Sequence, residues 1–303
     1  TMTQVPTSDS VMGDFGDVTV TNHDSGHRFT MNVRSNRFWI TGSRLSNHID
    51  VAAPEGRDAV PAPNGLTDGN HEPLAYPVAL LTGSHHMQGY WTPNGLGRTL
   101  SLLPVMYLKE EKKWIPRASV FLQPPGGPHG IEAGRWNSVC IQCHATAGES
   151  RVVEPFGYHD TKVAEFGISC ESCHGPGEEH VLVRRAAAKA GKTTIKDDPI
   201  VNPVSLSHER SSQVCGVCHG RRQRRAGAGD NPFRPGDDLH EKHLVFRRTP
   251  AVMAEIAKTL EPGGPAKTVE EEMDFGFWKD GLSRSSATEY NGLIDSPCYQ
   301  RGE

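Results

Sequence analysis

The sequence predicts a mixed α+β chain, with a β-rich region over residues 1–135 followed by a region of short helices and long loops over residues 136–303. Three observations predict it. Residues 1–135 hold short strand-like runs between turn residues and contain no C-x-x-C pair. Beyond residue 136 a C-x-x-C-H pattern occurs three times, as Cys140-Ile-Gln-Cys143-His144, Cys170-Glu-Ser-Cys173-His174 and Cys215-Gly-Val-Cys218-His219. The chain is also only 36% hydrophobic, low for a conventional core in 303 residues.

The β-rich region is taken first. Asp17 to Thr21 reads as a strand, and Arg28 to Val33 and Arg37 to Thr41 read as a hairpin closed by Ser35-Asn36. Residues 53–74, with Pro54, Pro61, Pro63, Gly65 and Gly69, read as a loop. Tyr76 to Leu81, Arg98 to Tyr107 and Lys113 to Phe121 suggest further strands, with Glu110-Glu111-Lys112 as a turn. Pro104 cannot donate a ladder hydrogen bond, so it marks its strand as an edge or bulged one. The Pro and Gly run from Gln123 to Gly134 reads as a linker.

The helical region follows. Val181 to Ala190 carries good helix formers with Gly191 as a stop. Ser207 is placed to cap a helix from His208 toward Cys215. His240 and His243 lie at i and i+3, one face if helical. Thr249-Pro250 starts a helix to Leu260, which Pro262-Gly263-Gly264 ends. Glu270, Glu271 and Glu272 read as solvated charge.

The repeated pattern carries the chemistry. Two cysteines one helical turn apart reach the two vinyl groups on one edge of a porphyrin, and the histidine that follows directly swings beneath the ring to ligate iron. Repeated C-x-x-C pairs also build zinc ribbons. With 15 His in 303 residues, a His directly after all three pairs has chance odds of roughly one in ten thousand, so the pattern favours covalently attached haem c over zinc. A dithiol redox protein needs one exchange site and not three tagged ones.

Three porphyrins would replace aliphatic side chains as the centre of the second region, which is therefore expected to be packed around haem. The motifs start at 140, 170 and 215, leaving little protein per haem, so the haems are expected to pack against each other. Proximal ligands are then His144, His174 and His219. Twelve histidines remain for three distal positions, and the candidates are His180, His208 and either His240 or His243, of which the resemblance given below favours His243, with His86 in reserve. His180 follows Gly175-Pro176-Gly177 too closely to reach around its own porphyrin, which favours ligation of a neighbouring haem. At His85-His86 adjacent rings project differently, so at most one serves a given iron. Met87 reads as packing or as an axial thioether. Arg221, Arg222, Arg224 and Arg225 read as a solvated basic face or as partners for propionates or an acidic redox protein.

Net charge is -4 with His neutral, and propionates would add to it, which argues against a nucleic-acid partner. No apolar run is long enough to span a membrane. The residues after Thr1 lack the basic start and apolar stretch of a signal peptide, so Thr1 reads as the start of a processed or trimmed chain. Six of the seven cysteines belong to the motifs. Cys298 is left as a buried thiol or a link to another chain.

These residues resemble a known group. Cys170-Glu-Ser-Cys173-His174-Gly-Pro-Gly with His180, and Cys215-Gly-Val-Cys218-His219-Gly-Arg-Arg, are similar to the multihaem c-type cytochromes whose core resembles the tetrahaem nitrifier cytochrome. The likeness is to the bacterial proteins in which that core is often joined to tetratricopeptide repeats. Val11-Met-Gly-Asp-Phe15, Trp136-Asn137 and Phe233-Arg-Pro-Gly236 with His243 match landmarks of the same group. In that group a haem motif commonly precedes the Gly-Asp-Phe landmark and another follows a stretch like Tyr290 to Glu303. Neither stands here, so the chain resembles the middle of a longer cytochrome.

The resemblance implies a periplasmic or extracellular location and electron transfer with redox partner proteins. Three function classes follow. A carrier works through bis-histidine haems, whose six strong ligands leave no open site on iron. An enzyme reducing nitrite, nitric oxide or hydroxylamine needs a five-coordinate iron with polar residues such as His129 or His159 above it. A polymerising cytochrome joins other chains, or copies of itself, into a haem wire.

Overall fold

The computed structural model of the protein describes residues 3–21, 27–42, 73–117, 136–225, 233–260, 268–284 and 288–302, apart from residues 84, 96 and 156. Contacts divide it into two compact units, Thr1–Ile168 and Ser169–Glu303. The strand-like runs and the first C-x-x-C pair place a boundary near residue 135 in the sequence; the first C-x-x-C-H segment packs with the strands that precede it.

In the first unit the strands are β1 (Thr3–Gln4), β2 (Val18–Thr21), β3 (Arg28–Arg34), β4 (Arg37–Gly42), β5 (Leu74–Pro77), β6 (Leu80–Thr82), β7 (Met87–Pro93), β8 (Leu100–Leu108) and β9 (Lys113–Pro116). They form two antiparallel sheets, ordered β2-β3-β4-β5 and β1-β6-β7-β8-β9. The β3–β4 hairpin closes on Ser35 and Asn36, both at positive φ (47° and 58°), the conformation a two-residue turn requires. The expected loop over 53–74 lies outside the described residues up to residue 72, and Leu74 opens β5. The expected strand over Tyr76 to Leu81 is two strands parted at Val78-Ala79. The linker from Gln123 to Gly134 and the last residues of the strand predicted to Phe121 lie outside the described residues.

Pro104 behaves differently from an edge residue. Strand β8 is interior, paired to β7 on one side and β9 on the other. The register passes from Gly89↔Met106 to Trp91↔Leu102, so one residue of β7, Tyr90, stands opposite three of β8, Leu103 to Val105, and Pro104 sits in that bulge. Pairing with β9 begins only at Val105. The bulge, and not a sheet edge, removes the need for the missing N–H.

Successive side chains of a strand point to opposite faces. Tyr90 therefore joins Phe15, Phe29, Met31, Ile40, Tyr76 and Trp114 in a core between the sheets, while Trp91 joins Leu80, Leu102 and Met106 in a second core on the other face. The second core is closed by Trp136, Ile141 and Ala145 from the first motif segment. The 11–15 segment lies over Tyr90: the Gly13 N–H donates to the Tyr90 hydroxyl at 3.0 Å, which in turn donates to Gln88 Oε1 at 2.8 Å. A Cβ on Gly13 would stand 2.4 Å from the Trp114 ring, which explains glycine there.

After a π-helical turn at Trp136–Cys140 comes α1 (Ile141–His144), then the short strands β10 (Ala145–Thr146), β11 (Val152–Val153), β12 (Tyr158–His159) and β13 (Glu165–Phe166), paired β10–β13 and β11–β12.

The second unit holds α2 (Cys170–His174), α3 (Glu178–Lys189), α4 (His208–Gly216), β14 (Arg222–Arg224), α5 (Leu239–Lys242), β15 (His243–Val245), α6 (Pro250–Ala257), α7 (Val269–Asp274), α8 (Glu289–Leu293) and α9 (Pro297–Arg301). Gly191 follows α3 at positive φ (68°), as its stop requires. Ser207 caps α4, accepting from Arg210 N–H at 3.4 Å, and Thr249 caps α6, accepting from Val252 N–H at 3.4 Å. Helix α6 ends at Ala257, short of Leu260, and Pro262 to Gly264 lie outside the described residues. His240 and His243 do not share a helical face, because α5 ends at Lys242 and His243 opens β15. Two small cores hold the unit, one of Leu244, Phe246, Ile256, Met273 and Phe277 and one of Leu239, Val245, Tyr290 and Ile294. From Ser169 to Ser205 no side chain is buried.

No helix of the described residues is long and apolar enough to cross a membrane. Glu270 and Glu272 are not simply solvated: Glu270 pairs with Arg248 at 2.6 Å and Glu272 with Arg221 at 2.6 Å.

Candidate haem sites

The first motif sits on the β-rich unit. Asn137, buried beside it, accepts from Leu100 N–H at 2.8 Å and donates to the Arg98 carbonyl and to Thr161 Oγ1. Thr3 donates to the His144 carbonyl at 2.5 Å. Cys140 and His144 are thus held from both sides. Burial pushes the Cys140 thiol up to about 12, with Cys143 adding to it, and pushes the His144 imidazole below its ordinary value. A thiol kept protonated is a poor exchange nucleophile, and a neutral imidazole is the form that binds metal. His144 Nδ1 is buried with no hydrogen-bond partner among the described residues.

The second motif is α2 itself. Its His174 Nδ1 lies 2.8 Å from the Val201 carbonyl, and the Val201 N–H donates back to the His174 carbonyl at 3.1 Å. A carbonyl only accepts, so Nδ1 carries the proton and Nε2 keeps its lone pair for a metal. His180, on the first turn of α3, is arranged likewise: Nδ1 lies 2.5 Å from Asp198 Oδ1, while Arg184 grips Asp198 Oδ2 at 2.6–2.7 Å. The hydrogen bond from His180, then Arg184, holds the Asp198 carboxyl below its usual range.

Cys170, His174 and His180 line one cavity of about 880 Å³, with Val181, Leu182, Ile200 and Val201 as apolar wall. His180 therefore shares the cavity of the motif it follows, where chain reach favoured a neighbouring haem. Val181 and Leu182 are exposed large apolar residues, 41% and 52%. A flat apolar disc held by Cys170 and His174 would cover them, so these residues fit a covalently attached haem.

The third motif closes α4. Its His219 Nδ1 lies 2.9 Å from Glu289 Oε2 on α8. The Cys173 thiol is pushed up by burial, then by the Cys215 thiol, then by Cys170. Tyr290 packs on the same motif: a Cβ on Gly216 would stand 2.6 Å from its ring. Tyr290 is 2% exposed, so the ring has no room to retreat. Gly216→Ala is expected to destabilise the second unit by about 1–3 kcal/mol, read as a lower denaturation midpoint of the holoprotein. An unchanged midpoint would show that Tyr290 repacks freely.

The other distal candidates are placed as follows. His243, opposite Arg224 in the β14–β15 pair, is pushed down to about 4 by burial and then by Arg222 and Arg224, against a backbone contact with Leu239 that raises it, so it is neutral. His208 opens α4, its Nε2 3.3 Å from Glu209 and its ring edge-on to Tyr299. His86 is exposed beside the start of β7. Arg221 and Arg225 of the basic run are engaged within the chain, Arg221 with Glu272 and between the rings of Phe246 and Phe275, and Arg225 with Glu255. Cys298 is exposed and not a buried thiol, and no disulfide joins any of the seven cysteines. His129 lies outside the described residues. Sequence reading missed Asp198, the Val201 carbonyl and Glu289, because each meets its histidine 18 to 70 residues away in the chain.

The C-x-x-C-H segments and the cavity at α2 and α3 are those expected of a c-type cytochrome, in which haem c is covalently bound. The family model of cytochrome c554 and c-prime matches residues 128–175, which takes in the first two motifs. No curated protein and no solved structure matches the chain.

Proposed function

We propose that the protein is a multihaem carrier, passing electrons through three covalently attached haems with histidine on both faces of each iron. The observation that carries this reading is the orientation of the motif histidines. His174 and His219 each have Nδ1 held by an acceptor, so Nε2 is presented for iron. Bound haem would supply a one-electron iron couple.

The chain's own residues do the rest. Cys140 and Cys143, Cys170 and Cys173, and Cys215 and Cys218 anchor the three rings, and His144, His174 and His219 ligate one face of each. His180, His208 and His243 are the proposed distal ligands, with His86 in reserve. The apolar wall of Val181, Leu182, Ile200 and Val201 would pack against one face of a bound haem and keep water from it there. The sequence likeness to cytochromes with the tetrahaem nitrifier core supports a periplasmic or extracellular protein with redox proteins as partners.

A haem count by pyridine haemochrome and intact mass, with low-temperature EPR, tests the reading. Three haems, all low-spin, are expected. A colourless protein, or a high-spin signal that shifts on adding nitrite or nitric oxide, would overturn the carrier.

A further inference from the structure

The three motif histidines differ in what holds Nδ1. For His219 it is a carboxylate, Glu289 at 2.9 Å. For His174 it is a neutral backbone carbonyl at 2.8 Å. For His144 no partner occurs among the described residues.

The Glu289 contact is built. Helix α8 is fastened to the residues that follow the third motif by a set of hydrogen bonds. Tyr290 N–H donates to the His219 carbonyl at 2.9 Å. Asn291, 2% exposed, accepts from Arg221 N–H at 2.7 Å and donates to the Arg221 and Phe246 carbonyls at 3.1 and 2.8 Å. Tyr290 fills the space over Gly216 and Gly220, where a Cβ would be 2.6 and 3.2 Å from its ring. Backbone and side chain together fix where residue 289 stands, across 70 residues of chain.

We infer that Glu289 is a positioning residue that, through His219, lowers the reduction potential of the third haem below that of the second. The inference rests on the three-haem reading above. A charge-assisted hydrogen bond from Nδ1–H is stronger than one to a neutral carbonyl and leaves Nε2 a better electron donor. A better donor favours ferric over ferrous iron, so the potential falls. Solvent screens the pair in part, since the Glu289 side chain is 69% exposed. The effect is therefore a difference between sites, read against haems whose ligands are unchanged. The third site becomes the better electron donor of the two.

Potentiometric titration of the holoprotein, followed by visible spectra and EPR, tests this with Glu289→Gln and Glu289→Asp. In Glu289→Gln one midpoint is expected to rise and one low-spin EPR signal to change, with the other two midpoints unmoved. Glu289→Asp, which keeps the charge at a longer reach, should raise the same midpoint by less. A merely structural role for Glu289 would not single out one potential. Three haems by mass with every midpoint unchanged overturns the inference. If Glu289→Gln fails to take up its third haem, Glu289→Asp decides alone, and an unmoved midpoint there overturns it. A wild-type mass below three haems sinks the multihaem reading instead.

Discussion

Replacing Cys170 and Cys173 together by alanine is expected to remove one haem by mass and to melt the chain from α2 through the residues after α3. Apart from polar contacts such as His174 to Val201 and His180 and Arg184 to Asp198, the segment has little apolar burial of its own to hold it. No side chain from Ser169 to Ser205 is buried, and α3 has 12 residues, at the length where an isolated helix is marginal in water, about 12–15 residues. Its apolar residues Val181 and Leu182 face the cavity that Cys170 and His174 line. Hydrophobic burial there depends on what the cysteines attach, so losing the attachment removes the folding free energy of the segment. Hydrogen exchange by mass spectrometry would show it: the amides of residues 178–190 should exchange at the rate of an unfolded chain, while β7 and β8 stay protected. Retained protection over α3 in a protein lacking that haem would mean that the helix is held by the protein alone.

Trp91→Ala is expected to destabilise the first unit by about 3–5 kcal/mol. Trp91 is 2% exposed, lies edge-on to Trp136 with ring centroids 5.8 Å apart, and donates to Thr82 Oγ1 at 2.9 Å. Its removal opens a cavity under the π-helical turn and α1, and orphans the Thr82 contact. The seat of Cys140 and His144 should loosen with it, since Ile141 and Ala145 belong to the same core. Denaturant unfolding followed by tryptophan fluorescence and by Soret absorbance measures both effects. A loss near 1 kcal/mol would show that the neighbours collapse into the space.

Much of the candidate site was legible in the sequence because its signals are local. A C-x-x-C-H pentad needs only helical geometry to place two thiols and an imidazole, and α2 carries its whole pentad in that way, whereas α4 ends at Gly216, before Cys218 and His219. The hairpin at Ser35-Asn36, the Ser207 and Thr249 caps and the Gly191 stop are also set by residues within four positions of each other. Pro104 is instructive in the other direction. The ring forbids a ladder hydrogen bond, which leaves an edge or a bulge as equal solutions, and only the pairing of β8 on both sides selects the bulge. The helical face assumed for His240 and His243 failed for a similar reason, because pairing with β14 draws His243 into a strand.

By itself the sequence determined the three C-x-x-C-H segments whose spacing suits haem attachment, the passage from strand-rich to helix-and-loop structure, and a low share of aliphatic residues. Tertiary structure alone decided that Trp91 and Trp136 seat the first motif on the β-rich unit, that His174 and His180 share a cavity, and that a carbonyl holds one proximal histidine and a carboxylate another. The physical reason is range. A thioether needs cysteines a turn apart, whereas the partner of a histidine Nδ1 is whatever the folded chain brings within about 3 Å, and for His219 that residue is 70 positions away.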